Sequence, residues 1–114
     1  MINLRPISWI KAAKRDLEDF PAEVRIDAET ALSIAARGGK ADTAKPFKGG
    51  DGGVFEIALR HRGNAYRIIY AVQVGIDIWV IDAFQKKSKT GIKTPQVDVD
   101  RIRERIKRLK EALR

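Results

Sequence analysis

Apolar residues recur at helical spacing near the start of the chain, where Ile10, Ala13, Leu17 and Phe20 fall on one side of a helix. Ser8 stands in front of that stripe as a candidate N-cap, so the pattern predicts a helix beginning near Trp9. Pro21 breaks it and suits the first turn of a second helix, whose stripe is Val24, Ala28, Ala31, Leu32 and Ala35. Gly38-Gly39 closes that helix, because glycine takes the left-handed cap conformation without strain. Two helices joined at a proline predict a hairpin. The preceding "INLRPI" reads as an edge strand weakened by Pro6.

Residues 40–53, "KADTAKPFKGGDGG", read as loop, and the period then changes. Phe55, Ile57 and Leu59 alternate with Glu56, Ala58 and Arg60, the pattern of a strand with two different faces. "HRGN" (61–64) is a turn signal, "AYRIIYAVQV" a second strand, Gly75 a turn and "DIWVIDAF" a third strand. Connections this short predict an antiparallel meander. A last helix carries Val99, Ile102, Ile106, Leu109 and Leu113 on one face, with Asp98 and Asp100 in its first turn, as the helix dipole favours. The order (β)-α-α-β-β-β-α, with helices segregated from an antiparallel sheet of three to four strands, makes the expected class α+β. The helices are expected to cover one face of the sheet and to leave the other for function.

Length and composition narrow the chemistry. A chain of 114 residues is expected to form one domain over 1–114, with a single core. With no cysteine and one histidine, His61, it has neither a thiolate nucleophile nor the ligands of a usual zinc site. No apolar run is long enough to cross a membrane, and "MINLRPISWIK" lacks the pattern of a signal peptide, so a cytoplasmic protein is expected. The net charge of +8 favours an anionic partner. It is unevenly spread: between 84 and 97 there is no acidic residue, while Lys86, Lys87, Lys89 and Lys93 crowd the end of an apolar strand.

Each motif has an ordinary explanation to weigh. "GGDGG" (49–53) precedes a strand and lacks the lysine of a P-loop, so it reads as a flexible loop. His61 at a strand end reads first as a turn residue. Arg67 interrupts an apolar strand and must find a partner, with Glu56 or Asp82 available across the sheet. Taken together, Arg60, Arg67 and Lys86-Lys87 bring cations from three strands toward one sheet face. Tyr66 and Tyr70 are expected to add a stacking surface or a phenol, a combination that suits single-stranded RNA. The basic closing helix offers a different reading, DNA binding through Arg101, Arg105 and Arg108. Its Glu104–Arg108 spacing also fits ordinary surface pairing.

"KPFKGGDGGVFEIALRHRGNAYRIIYAV", followed by "FQKKSKTGIKTP" and a closing helix, resembles the RelE/HigB toxin superfamily, in its phage-derived HigB-like branch. The resemblance spans nearly the whole chain. It implies a compact RelE-like fold and a metal-independent endoribonuclease that needs no cofactor and cuts mRNA, usually on the ribosome. It also implies a small antitoxin partner with a helix-turn-helix domain, forming a type II toxin–antitoxin system. By the same resemblance Arg60, Arg67 and Lys86 bind phosphate and stabilise the transition state, with Tyr70 beside them as a catalytic candidate. Lys45, Lys48, Lys87 and Lys89 hold flanking RNA. Tyr70, Glu56 and His61 are the groups open to proton transfer, and no motif chooses among them. A catalytically weak or inactive RNA- or antitoxin-binding module of the same fold is the alternative.

Overall fold

Strand alternation and short turns produce three long strands in the computed structural model, which describes residues 4–50, 52–86 and 94–113. In chain order the elements are β1 (Ile7–Trp9), α1 (Lys11–Glu18), α2 (Ala22–Ala36), β2 (Ala44–Pro46), β3 (Val54–His61), β4 (Asn64–Ala71), β5 (Ile78–Lys86) and α3 (Gln96–Ala112). The meander β3-β4-β5 is antiparallel, as the connections require. Its first turn uses Arg62 and Gly63, both at positive φ (51° and 81°), the geometry of a two-residue hairpin loop whose twist matches the strands.

The sheet is larger than the three to four strands expected. Five strands lie in the order β1-β5-β4-β3-β2. β1 runs parallel to β5, and Pro6 is no obstacle because only its carbonyl is used, accepting from Ile78 N–H at 2.8 Å. Ser8 therefore lies in a strand and caps nothing; its hydroxyl donates to the Asp77 carboxylate, and α1 starts at Lys11. Arg5 ties the same edge down, its guanidinium donating to the carbonyls of Val72, Ile76 and Asp77. Within the expected loop 40–53, Ala44–Pro46 pair with β3 as a second edge strand.

Pro21 separates the two helices of the hairpin and is the N-cap of α2. The other end of α2 closes as the sequence predicts. Gly38 takes φ 91°, its N–H reaches Ala35 O, and Gly39 N–H reaches Ile34 O. Those two bonds are the pair expected of a glycine-ended helix.

Both faces of the sheet are covered, which corrects the expectation of one free face. On one side α1 and α2 bury Leu17, Val24, Ala28 and Leu32 against Ile57, Ile68, Tyr70 and Val80. On the other, Ile102, Ile106 and Leu109 of α3 pack on Val54, Ile69, Ala71 and Ile81. A bulge between Ile69 and Tyr70 puts one extra residue in β5. A bulge of this kind turns consecutive residues to one side, and Ile81 and Asp82 both meet α3. Asp82, 1% exposed, accepts from Arg101 Nε at 2.7 Å and lies 3.1 Å from Arg105 Nη1, which fastens the helix. No helix among the described residues is long and apolar enough to cross a membrane.

Candidate nucleic-acid interface

The register places the candidate cations in rows across the face that α3 shares. One row runs Lys45–Glu56–Ile69–Asp82, the next Ala58–Arg67–Phe84, and the third Arg60–Ala65–Lys86. Successive rows on one face lie about 7 Å apart and neighbouring strands about 4.8 Å apart. Four cations from four strands thus share this face with two carboxylates, Glu56 and Asp82, of which Asp82 lies under α3.

Their environments differ. Lys45 and Arg60 are exposed, whereas Arg67 and Lys86 are each only 7% exposed. Arg67 Nε sits 2.8 Å from Glu56 Oε1, one of the two partners the sequence allowed. The N–H does not point along that line, so the contact is an ion pair rather than a directed hydrogen bond. Arg67 Nη1 donates to Tyr66 O, and Thr94 Oγ1 approaches Glu56 Oε1 at 3.4 Å. Asp82, the other possible partner, is taken by Arg101 and Arg105. The Lys86 ammonium is held below its ordinary pKa, first by burial and then by the charge of Arg67. Glu56 opposes that shift, and Lys45 and Arg60 add to it. These four partners of Lys86 are the groups that the rows bring together.

Tyr70 does not join them. Residues two apart share a face, so Tyr66, Ile68 and Tyr70 point away from Arg67. Tyr70 is 1% exposed and stacks on Phe55 with ring centroids 5.4 Å apart, and burial raises its pKa. Tyr66 packs on Phe20 at 4.8 Å. The expected tyrosine stacking surface is thus part of the helical-hairpin core. His61 also turns to that side, where its Nδ1 lies 3.2 Å from Glu23 Oε2 of α2. Lys87 and Lys89 lie outside the described residues. An aromatic ring in the cationic rows is Phe84, which the sequence reading passed over; it pairs with Arg67 in register, and Arg101 lies 5.5 Å from its centroid. Parity along β5 was the signal that could have found it.

Beside this face opens a cleft of about 420 Å³ between the β2–β3 edge and the start of α3. Lys45 and Lys48 line it together with Glu56, Gln96, Val99 and Arg103. The loop behind it is closely packed at Gly49: an added Cβ would come within 2.7 Å of Val99 Cγ1 and 2.9 Å of Phe47 Cε2. Arg103 Nε donates to the Gly49 carbonyl. The other arginines of α3 are engaged too, Arg101 and Arg105 by Asp82 and Arg108 by Glu104. Burial works against the Arg101 charge, but bonds to Asp82 and Asp98 outweigh it and raise its pKa. This is a helix fastened to its own sheet, which weighs against the DNA-binding reading.

The arrangement has a precedent among solved structures. A mutant of the Escherichia coli toxin RelE in the free state superposes with a TM-score of 0.62 at 18% identity, covering 92% of this chain and 97% of that one. The fold is therefore RelE-like. Residues 15–107 match the model of the family described as "Phage derived protein Gp49-like", and the chain belongs to that family. No curated protein matches. Of the resemblance read from the sequence, the RelE-like fold is borne out by the structural match and the phage-derived family by the family model.

Proposed function

We propose that this protein is the toxin of a type II toxin–antitoxin system, a metal-independent endoribonuclease that cuts mRNA on the ribosome. The observation that carries the reading is the sharing of one face by Lys45, Arg60, Arg67 and Lys86. In the reaction the ribose 2′-oxygen attacks the adjacent phosphorus, and the bond to the next nucleotide's 5′-oxygen breaks. A 2′,3′-cyclic phosphate and a 5′-hydroxyl result. One proton leaves the 2′-hydroxyl and another is delivered to the leaving oxygen. Negative charge grows on the non-bridging oxygens, and fixed cations in a partly dry site stabilise it without reorganising. Arg60 and Lys45 meet the backbone first, being exposed. Arg67, held by Glu56, and Lys86 lie deeper. The lowered pKa of Lys86 makes a neutral amine more accessible, so lysine is the candidate to exchange the protons.

A specific observation favours the second reading, a catalytically weak or inactive module that binds RNA or an antitoxin. The chain's one histidine and two tyrosines all turn to the other face, so the cationic face carries neither an imidazole nor a phenol. The partner proposed in either case is a small antitoxin with a helix-turn-helix domain, and the setting is the cytoplasm.

The test is purified protein added to ribosomes programmed with mRNA, with new 5′ ends mapped by primer extension. Wild type should cut, and Lys86→Ala should cut about 10²–10³ times more slowly. Intact mRNA with salt-sensitive binding, log K falling by about 0.7 per neutralised phosphate, would establish the binding module instead. Neither cutting nor binding would remove both.

A further inference from the structure

The cleft beside the cationic face has a composition the phosphate cluster does not need. We infer that it is a base-binding subsite, which takes the nucleobase next to the phosphate held by Arg60, Arg67 and Lys86 and prefers bases bearing an exocyclic amino group. This rests on the RNA-directed reading above and adds a specificity device to it.

Three features support the assignment. The size, about 420 Å³, lies in the range of small-ligand sites. The lining is layered: Pro46, Phe47 and Val99 offer apolar surface for the flat face of a base, while Lys45, Lys48 and Arg103 bring positive charge for its phosphates. The hydrogen-bonding groups are Glu56, Thr94 and Gln96. Glu56 is 4% exposed and also touches Arg67, so one residue belongs to both the cationic cluster and the cleft. Glu56 thus puts the cleft directly beside the cationic cluster, where the base of a nucleotide whose phosphate meets the cluster can enter.

The carboxylate sets the preference. A carboxylate accepts hydrogen bonds, as carboxylates do from the cytosine amino group. Cytosine, adenine and guanine each offer an amino group. Where cytosine presents its 4-amino group uracil presents the O4 carbonyl, so at that edge two acceptors face each other in a partly buried site and repel, and only N3–H is left to donate to the carboxylate. Discrimination by such mismatch needs no extra contact to the favoured base.

The experiment uses dinucleoside phosphates with a 2′-deoxyribose at the scissile position, so that no cleavage occurs, with each base varied on either side of the phosphate. Binding to the full-length isotope-labelled protein is followed by NMR. The expected result is about tenfold tighter binding of cytosine or adenine than of uracil on one side, with shifts at Phe47 and Val99. Glu56→Gln should narrow or reverse that ratio, because the amide can donate to uracil. If Glu56→Gln does not fold, Glu56→Asp, which keeps the charge but draws the carboxylate back by one methylene, should still reduce the discrimination. Equal affinities for all bases, or shifts confined to the strand face, would overturn the inference. A peptide-like partner competing at the cleft with no base-dependent shift overturns it too. Failure of ribosomal mRNA cleavage leaves these readouts standing, and cleavage without base discrimination sinks this inference alone.

Discussion

Replacing Asp82 by alanine removes the anion to which two arginines of α3 are fastened. The magnitude follows from how unevenly that triad is buried. The Asp82 side chain is 1% exposed, while Arg101 and Arg105 are 34% and 21% exposed. Breaking a fully buried pair costs about 3–5 kcal/mol, and an exposed pair contributes about 0–1 kcal/mol. Here the arginines left behind can turn toward water, and Arg101 keeps Asp98 at 2.8 Å. The expected cost is therefore intermediate, about 2–3 kcal/mol. For a chain of this size that corresponds to a fall in Tm of roughly 8–12 °C. The assay is thermal unfolding by circular dichroism, with the near-ultraviolet signal, read in a Trp9→Phe background so that Trp79 dominates it, reporting on the core that α3 shares. A triple variant, Asp82→Leu with Arg101→Met and Arg105→Met, should lose less than Asp82→Ala alone, because no fully buried charge is involved any longer and the carboxylate that loses Arg101, Asp98, is partly exposed in the first turn of α3. A loss below about 0.5 kcal/mol for Asp82→Ala, or a triple variant worse than the single one, would refute the reasoning.

Three further outcomes are expected. Tyr70→Phe should leave RNA cleavage and binding within about twofold of wild type, since the phenol is on the far side of the sheet; a loss of about 10²-fold would show that Tyr70 reaches the reacting atoms after all. Lys86 binds its proton less tightly in the folded chain than at the unfolded value of 10.5, so the penalty of its buried charge is fully present below the folded pKa and is relieved as pH rises from there toward 10.5. Lys86→Met should lack that alkaline gain, visible as a flatter dependence of the urea midpoint on pH on the approach to 10.5; equal slopes would contradict the assignment. Arg62→Asn should stabilise the protein by about 0.5–1 kcal/mol, because asparagine tolerates the φ of 51° that arginine adopts at a cost, and an unchanged or lower urea midpoint would count against it.

The parts of the fold that repeat a period were legible in the sequence. The stripes of α1, α2 and α3 and the alternation of β3 predicted their elements, and Glu56 was already one of two candidate partners for Arg67. The edge strands were not legible, because three residues hold too little pattern, and their pairing is decided by β3 and β5 rather than by themselves. Nor does a helical stripe say which side of a sheet it will cover, so the docking of α3 on the presumed free face could not be read from Ile102 and Ile106. Tyr70 is a different case. Its place was available from parity with Arg67, but a nearly uniform apolar strand hid which side was which. The bulge in β5 hid Asp82 in another way, by turning Ile81 and Asp82 toward the same helix where strict alternation would separate them.

The placement of β5 between β1 and β4 has a consequence for how the chain assembles during synthesis. Ile7 finds its partner only in Ile78, so the first strand stays without its neighbour until most of the chain has emerged. Such distant pairings make folding slow, since the loop must close before the contact repays it. Lys86 stands at the far end of that same late strand, opposite Ala65 and in the row of Arg60. A nascent chain stopped before β5 thus carries Arg60 and Arg67 without the strand that completes their neighbourhood. The cationic face is completed nearly last, after the helical hairpin and the first two strands of the meander have been synthesised, and premature termination before β5 yields fragments without it.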